Sequence, residues 1–107
     1  AFHTPAEAAW KAFVFAVTPA VCEEFFFRGM MLQAFRARFS DAAAVWLSAL
    51  MFAAIHFDPY RFITTLILGA AFGWLAVRTR SLAAPVAAHA LNNFITLAAL
   101  WRGSGAV

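Results

Sequence analysis

The stretch CEEFFFRGM, residues 22–30, places two adjacent glutamates and an arginine inside a strongly apolar run. Glu24 and Arg28 are four residues apart, so on a helix they share a face and can pair. Glu23 is rotated by about 100° from Glu24 and can point to a different partner. At membrane depth, an ionisable side chain costs at least ~2.5–3.5 kcal/mol and usually faces a bundle interior or a wet cavity. The stretch therefore predicts a helix whose charged side chains either pair with other groups or take part in a reaction.

The composition around this stretch is that of a membrane protein. Of the 107 residues, 64% are hydrophobic and 12% are charged, whereas soluble domains are about 25% charged. The arginines are not clustered with aromatic residues, so we expect no nucleic-acid partner. The single cysteine, Cys22, excludes an intrachain disulfide and any multi-cysteine metal site. We expect one domain, residues 1–107, that is a piece of a longer protein because it begins at Ala1 without a Met.

Four apolar runs predict an all-α, multi-pass transmembrane helix bundle. The first helix covers residues 7–39 and should kink or break at Pro19. The Asp58-Pro59 pair should end the second, because the residue before a proline is steered out of the helical region. Each run is near the ~20 residues that span a bilayer. The later three runs are residues 42–57, 61–77 and 82–101.

The arginines predict how these helices are oriented. Alternating helices bring four arginines to one side of the membrane and leave two on the other. The excess of positive charge predicts that the first side is cytoplasmic. The alanine- and arginine-rich usage leads us to expect a bacterial inner membrane. The first side has Arg36, Arg38, Arg78 and Arg80, and the second has Arg61 and Arg102.

Polar side chains on three of the helices suggest hydrolytic chemistry. His56 follows Phe52 by four residues, and Asn93 follows His89 by four, so each pair shares a helix face. No serine or cysteine is suitably paired to act as a covalent nucleophile. A carboxylate with histidines can activate water, and His or Asn donors can stabilise an oxyanion. Alternatively, a glutamate and two histidines could hold zinc with an open water position.

Three motifs in this order resemble a known family. They are Glu23-Glu24-x-x-x-Arg28, Phe52-x-x-x-His56 and His89-x-x-x-Asn93, within a match that runs from about residue 18 to 97. The sequence resembles the CPBP family of intramembrane proteases, also called Abi, which includes CAAX prenyl endopeptidases and bacteriocin-processing proteins. The resemblance implies an all-helical membrane fold that usually carries further membrane helices before this core.

The same resemblance implies roles for the motif residues. Glu23 would be the general base, and His56 would help to hold and activate the water. His89 and Asn93 would donate to the oxyanion, and Glu24 with Arg28 would orient the site. We expect no cofactor. The zinc alternative would make Glu23, His56 and His89 metal ligands. The substrate would be a protein or peptide in or at the lipid bilayer.

Two other classes of protein remain open from the sequence. One is a non-catalytic membrane scaffold or bacteriocin-immunity-type protein with the same fold. A scaffold has no need for the burial cost of Glu23, His56, His89 and Asn93, which favours the enzyme. The other is a small transporter, which should show discontinuous helices around the site or a repeat. Only Pro19 and Pro85 hint at broken helices, and the sequence has no repeat.

Overall fold

The computed structural model describes residues 4–103, which are helices and short connections without a strand. The chain begins with a continuous helical segment, here called the first rod, that consists of α1, a π-helical segment and the short α2. Three further helices, α3 to α5, complete the described chain. The bounds are α1 Pro5–Glu24, the π-helical segment Phe25–Met31, α2 Leu32–Arg36, α3 Asp41–Ala54, α4 Phe62–Thr79 and α5 Ala83–Gly103.

The first rod begins at a capped end and passes through its proline. The Thr4 side chain accepts a hydrogen bond from the Glu7 amide at 3.0 Å, and Pro5 occupies the first turn, where an amide is not needed. The predicted break at Pro19 is wrong, because α1 continues to Glu24. The departure from α geometry comes six residues later, in the π-helical segment that begins at Phe25. A helix tolerates proline when only one internal hydrogen bond is lost and packing supplies the rest.

The second predicted helix ends earlier than its sequence suggests. Ser40 caps α3 by accepting a hydrogen bond from the Ala43 amide, but the helix stops at Ala54 rather than at residue 57. His56 lies in the turn that follows, and Phe57 adopts a left-handed backbone with φ of 50°. The helix therefore ends before the Asp58-Pro59 pair is reached. The prediction that His56 lies on a helix is therefore wrong.

Close packing of α3 on α4 depends on two glycines. A Cβ on Gly69 would lie 3.0 Å from the Phe52 ring and 3.2 Å from the Ala49 Cα. A Cβ on Gly73 would lie 3.2 Å from a Val45 methyl group. The pairs run in opposite directions along the two helices, so α3 and α4 are antiparallel. Small residues four apart allow such close approach between helices.

The other main helix pair is α1 with α5, also antiparallel. Buried alanines fill much of the core, together with a few large apolar side chains such as Leu32 and Phe52. By length and composition, α4 and α5 could each cross a membrane, whereas α3 has 14 residues. The all-α prediction is confirmed, and two of the expected four membrane helices meet this criterion. Their bounds lie within two residues of the predicted ones.

Candidate active site

A buried ion pair lies at the centre of the bundle. Glu24 and Arg28 are both fully buried, and Arg28 Nη1 donates to Glu24 Oε2 at 3.1 Å. Arg28 Nη2 donates to the carbonyl oxygen of Gly69 at 2.6 Å, which ties the first rod to α4. Two buried polar atoms of the pair, Glu24 Oε1 and Arg28 Nε, have no hydrogen-bond partner among the described residues. The pair predicted from the four-residue spacing is present.

Aromatic rings surround the guanidinium of Arg28. Its central carbon lies 4.7 Å from the ring centroid of Phe52 and 5.6 Å from that of Phe72. The Phe27 ring is 5.9 Å away and meets Phe52 edge-to-face. Cation–π contacts of this kind strengthen when water is excluded. The contacts with the phenylalanine rings therefore offset part of the free-energy cost of burying the Arg28 charge.

The imidazole of His89 lies between the two glutamates. Nδ1 of His89 is 2.7 Å from Glu24 Oε2, and Nε2 is 3.2 Å from Glu23 Oε1. The ring stacks on Phe72 with a centroid distance of 4.9 Å, and it is almost fully buried. This arrangement fixes both the position of the ring and its rotation. The structure thus brings together Glu23, Glu24, Arg28 and His89 from two segments of the first rod and from α5.

The two adjacent glutamates differ in their access to solvent. The Glu24 side chain is sealed, whereas 32% of the Glu23 side chain is exposed. A carboxylate fixed on one side by an imidazole and open on the other can accept a proton from a water molecule.

His56 and Asn93 are held by backbone carbonyl groups. Nδ1 of His56 lies 2.6 Å from the Phe52 carbonyl oxygen, and the imidazole packs against the Phe52 ring at 4.8 Å. These contacts orient His56 even though it lies beyond the end of α3. The Asn93 side chain donates through Nδ2 to the Ala16 carbonyl oxygen at 2.9 Å. An amide group has a second N–H, so this bond leaves Asn93 one further donor.

A cavity of about 230 Å³ opens beside this cluster. His56, His89 and Asn93 all line it, whereas Glu23 and Glu24 do not. The sequence reasoning missed several polar residues of the wall. Thr65 and Thr96 could have been noticed in the sequence, because each is a polar residue within an apolar run. The missed residues are Asp58, Arg61, Thr65 and Thr96.

A family model described as "Type II CAAX prenyl endopeptidase Rce1-like" matches residues 5–95 of the chain. This range covers most of the sequence and includes all seven residues named in the three motifs. The chain belongs to the Rce1-like family. The resemblance to CAAX-type proteases is therefore confirmed, and the family is one of membrane-embedded proteases. No curated protein and no solved structure matches the chain.

The zinc alternative can be compared with the donor geometry of this Rce1-like chain. Between residues 4 and 103, no three His, Cys, Asp or Glu side chains are grouped so that they could hold a metal ion. Whether Glu23, His56 and His89 hold zinc stays a prediction for chelation experiments.

Proposed function

We propose that this chain is the catalytic core of a membrane-embedded endopeptidase that uses a glutamate base. The proposal is based on one observation, which is that two neighbouring carboxylates have different contacts and different exposure to solvent. Glu24 is sealed against Arg28 and fixes one nitrogen of His89. Glu23 contacts the other nitrogen and stays open to water. Glu24 would thus have a structural role, and Glu23 would be free to react.

The proposed reaction begins with a water molecule between Glu23 and His56. Glu23 takes a proton from this water while His56 orients it, and the hydroxide oxygen bonds to the carbonyl carbon of the substrate. The carbonyl oxygen becomes an oxyanion. The C–N bond then breaks, and Glu23 returns its proton to the leaving amine. Every proton is accounted for without a covalent intermediate.

His89 and Asn93 would stabilise the oxyanion. Nε2 of His89 faces Glu23 before reaction. When Glu23 gains a proton it loses its negative charge, so its hold on this ring nitrogen weakens. A protonated Nε2 can then donate to the oxyanion, together with the second N–H of Asn93. Preorganised donors aimed at developing charge typically contribute ~10²–10³-fold in rate.

A bilayer is the environment that the outer surface favours. Large apolar side chains are exposed along the helices, among them Phe15, Ile63 and Leu91, each more than half exposed. Contiguous apolar surface of this kind marks membrane or partner contact. We propose a multi-pass bundle in which the arginine-rich side is cytoplasmic, with residues 1–107 as the core of a larger fold in a bacterial inner membrane.

The proposed substrate is a peptide bond in a membrane-associated protein or peptide. The family description names CAAX prenyl endopeptidases, so a farnesylated CAAX-type peptide is the first probe, beside unmodified membrane peptides. The alternative of a non-catalytic scaffold needs the sealed pair of Glu24 and Arg28. It does not need a second, partly exposed glutamate in contact with His89, and this favours the enzyme.

The test compares Glu23→Gln with the wild-type protein in detergent, with and without a strong chelator. Glu7→Gln is the matched control, because Glu7 lies on the same helix and pairs with Lys11 at 2.7 Å, roughly 24 Å from Glu23. We expect at least ~10²-fold slower cleavage in Glu23→Gln, wild-type rates in Glu7→Gln and no effect of chelator. Full activity in Glu23→Gln would remove the base assignment. Loss of activity with chelator, restored by zinc, would replace it with a metal mechanism.

A further inference from the structure

A second polar cavity lies on the arginine-rich side of the bundle. It has a volume of about 490 Å³ and is separate from the cavity beside His56. Gln33, Arg36, Arg80 and Ser81 contribute its polar wall, and Leu82 contributes apolar surface. These residues come from α2 and from the connection between α4 and α5. The cavity is therefore a basic pocket between helices at one end of the bundle.

The arginines of this pocket are arranged to receive an anion. Arg36 Nε donates to Asp41 at 2.9 Å and Nη1 donates to Gln33 at 3.1 Å, so its guanidinium is fixed with Nη2 still available. The Arg80 side chain has no hydrogen-bond or ion-pair partner among residues 4–103. It occupies a left-handed position with φ of 53° at the end of α4, which turns the chain around the pocket. One fixed and one unpaired guanidinium thus line the same space.

We propose that this pocket binds the phosphate group of an anionic phospholipid in the cytoplasmic leaflet. The inference rests on the proposed membrane orientation. Basic pockets between membrane helices on the cytoplasmic side are suited to lipid head groups. Arginine binds phosphate with two parallel N–H donors. The apolar surface of Leu82 beside the arginines suits the start of an acyl chain better than a freely soluble anion.

The pocket and the candidate active site share Arg28. This residue contributes to the pocket wall and also holds Glu24. Gln33 connects the two further, since its side chain donates to the Arg28 carbonyl oxygen at 3.2 Å and accepts from Arg36. A phosphate bound by Arg36 and Arg80 would therefore brace the segment that positions Glu24 and His89.

The experiment measures lipid binding to the purified protein in detergent by the rise in Tm during titration. The probes are phosphatidylglycerol, phosphatidylcholine and inorganic phosphate. Arg80→Asn removes the unpaired guanidinium and suits the left-handed backbone, while Arg80→Lys keeps the charge. Arg78→Asn is the matched control, because Arg78 lies at the same end of α4 but does not line the pocket. Thermal unfolding does not require cleavage, so this result is independent of the proposed peptidase activity.

We expect phosphatidylglycerol to raise the Tm more than phosphatidylcholine does. Arg80→Asn should weaken the apparent affinity by about tenfold or more, and Arg80→Lys should restore most of it. Arg78→Asn should have the smaller effect. Equal losses in Arg78→Asn and Arg80→Asn would show unspecific attraction to the basic surface and would overturn the pocket. Equal stabilisation by inorganic phosphate would overturn the assignment to lipid.

Discussion

Replacing Arg28 by methionine tests the energetic role of the buried ion pair. The change removes the bonds to Glu24 at 3.1 Å and to the Gly69 carbonyl at 2.6 Å, and it leaves the carboxylate of Glu24 fully buried. Breaking a buried pair in this way typically costs about 3–5 kcal/mol of the free energy of unfolding. His89 still lies 2.7 Å from Glu24, so we expect the lower part of that range.

A double variant distinguishes the stability lost to an unpaired buried charge from the stability lost with the packing of Arg28. Glu24→Gln with Arg28→Met removes both charges, and the new amide can still accept a hydrogen bond from His89. Because replacing a whole buried pair is often close to neutral, we expect the double variant to lose at most about 1–2 kcal/mol. Denaturant titration in detergent would measure both changes. If the double variant is as unstable as Arg28→Met alone, the buried charge is not the cause and the reasoning fails.

The remaining predictions concern the α3–α4 contact and the exposed histidine. Gly69→Ala should lose about 1–3 kcal/mol of stability, because the new Cβ would lie 3.0 Å from the Phe52 ring. Gly29→Ala is its control and should be neutral or slightly stabilising, since its Cβ would lie 3.4 Å from a flexible side-chain end; equal losses in a denaturant titration would contradict this difference. His56→Ala should slow peptide cleavage by at least ~10²-fold while changing the Tm little, because the imidazole is exposed. Unchanged cleavage in His56→Ala would remove that residue from the mechanism.

The sequence predicted the parts of the fold that depend on local pattern. Apolar runs located α4 and α5 to within two residues. The four-residue spacing of Glu24 and Arg28 likewise predicted their pair, because helix periodicity alone brings them to one face. Each of these inferences needs only the geometry of a single helix.

Contacts between helices could not be predicted from spacing along the chain. His89 and Glu24 lie 2.7 Å apart, yet they belong to different helices. Helix periodicity relates only side chains on one helix. The first rod also contains a π-helical segment at Phe25–Met31, and helix bounds alone do not fix the offset between α1 and α5. The prediction that His56 lies on a helix was wrong for a different reason. Nothing in the sequence indicates that Phe57 adopts a left-handed backbone.

The adjacent glutamates explain why a family motif would need two carboxylates in succession. On a helix, neighbours differ by about 100°, so both side chains can meet one imidazole from different directions. Glu24 reaches Nδ1 of His89 from the sealed interior, and Glu23 reaches Nε2 from the open side. A single glutamate would have to be both the buried partner of Arg28 and the water-facing base. Under the proposed mechanism, separating these roles keeps Glu24 paired with Arg28 in the interior while Glu23 keeps contact with water.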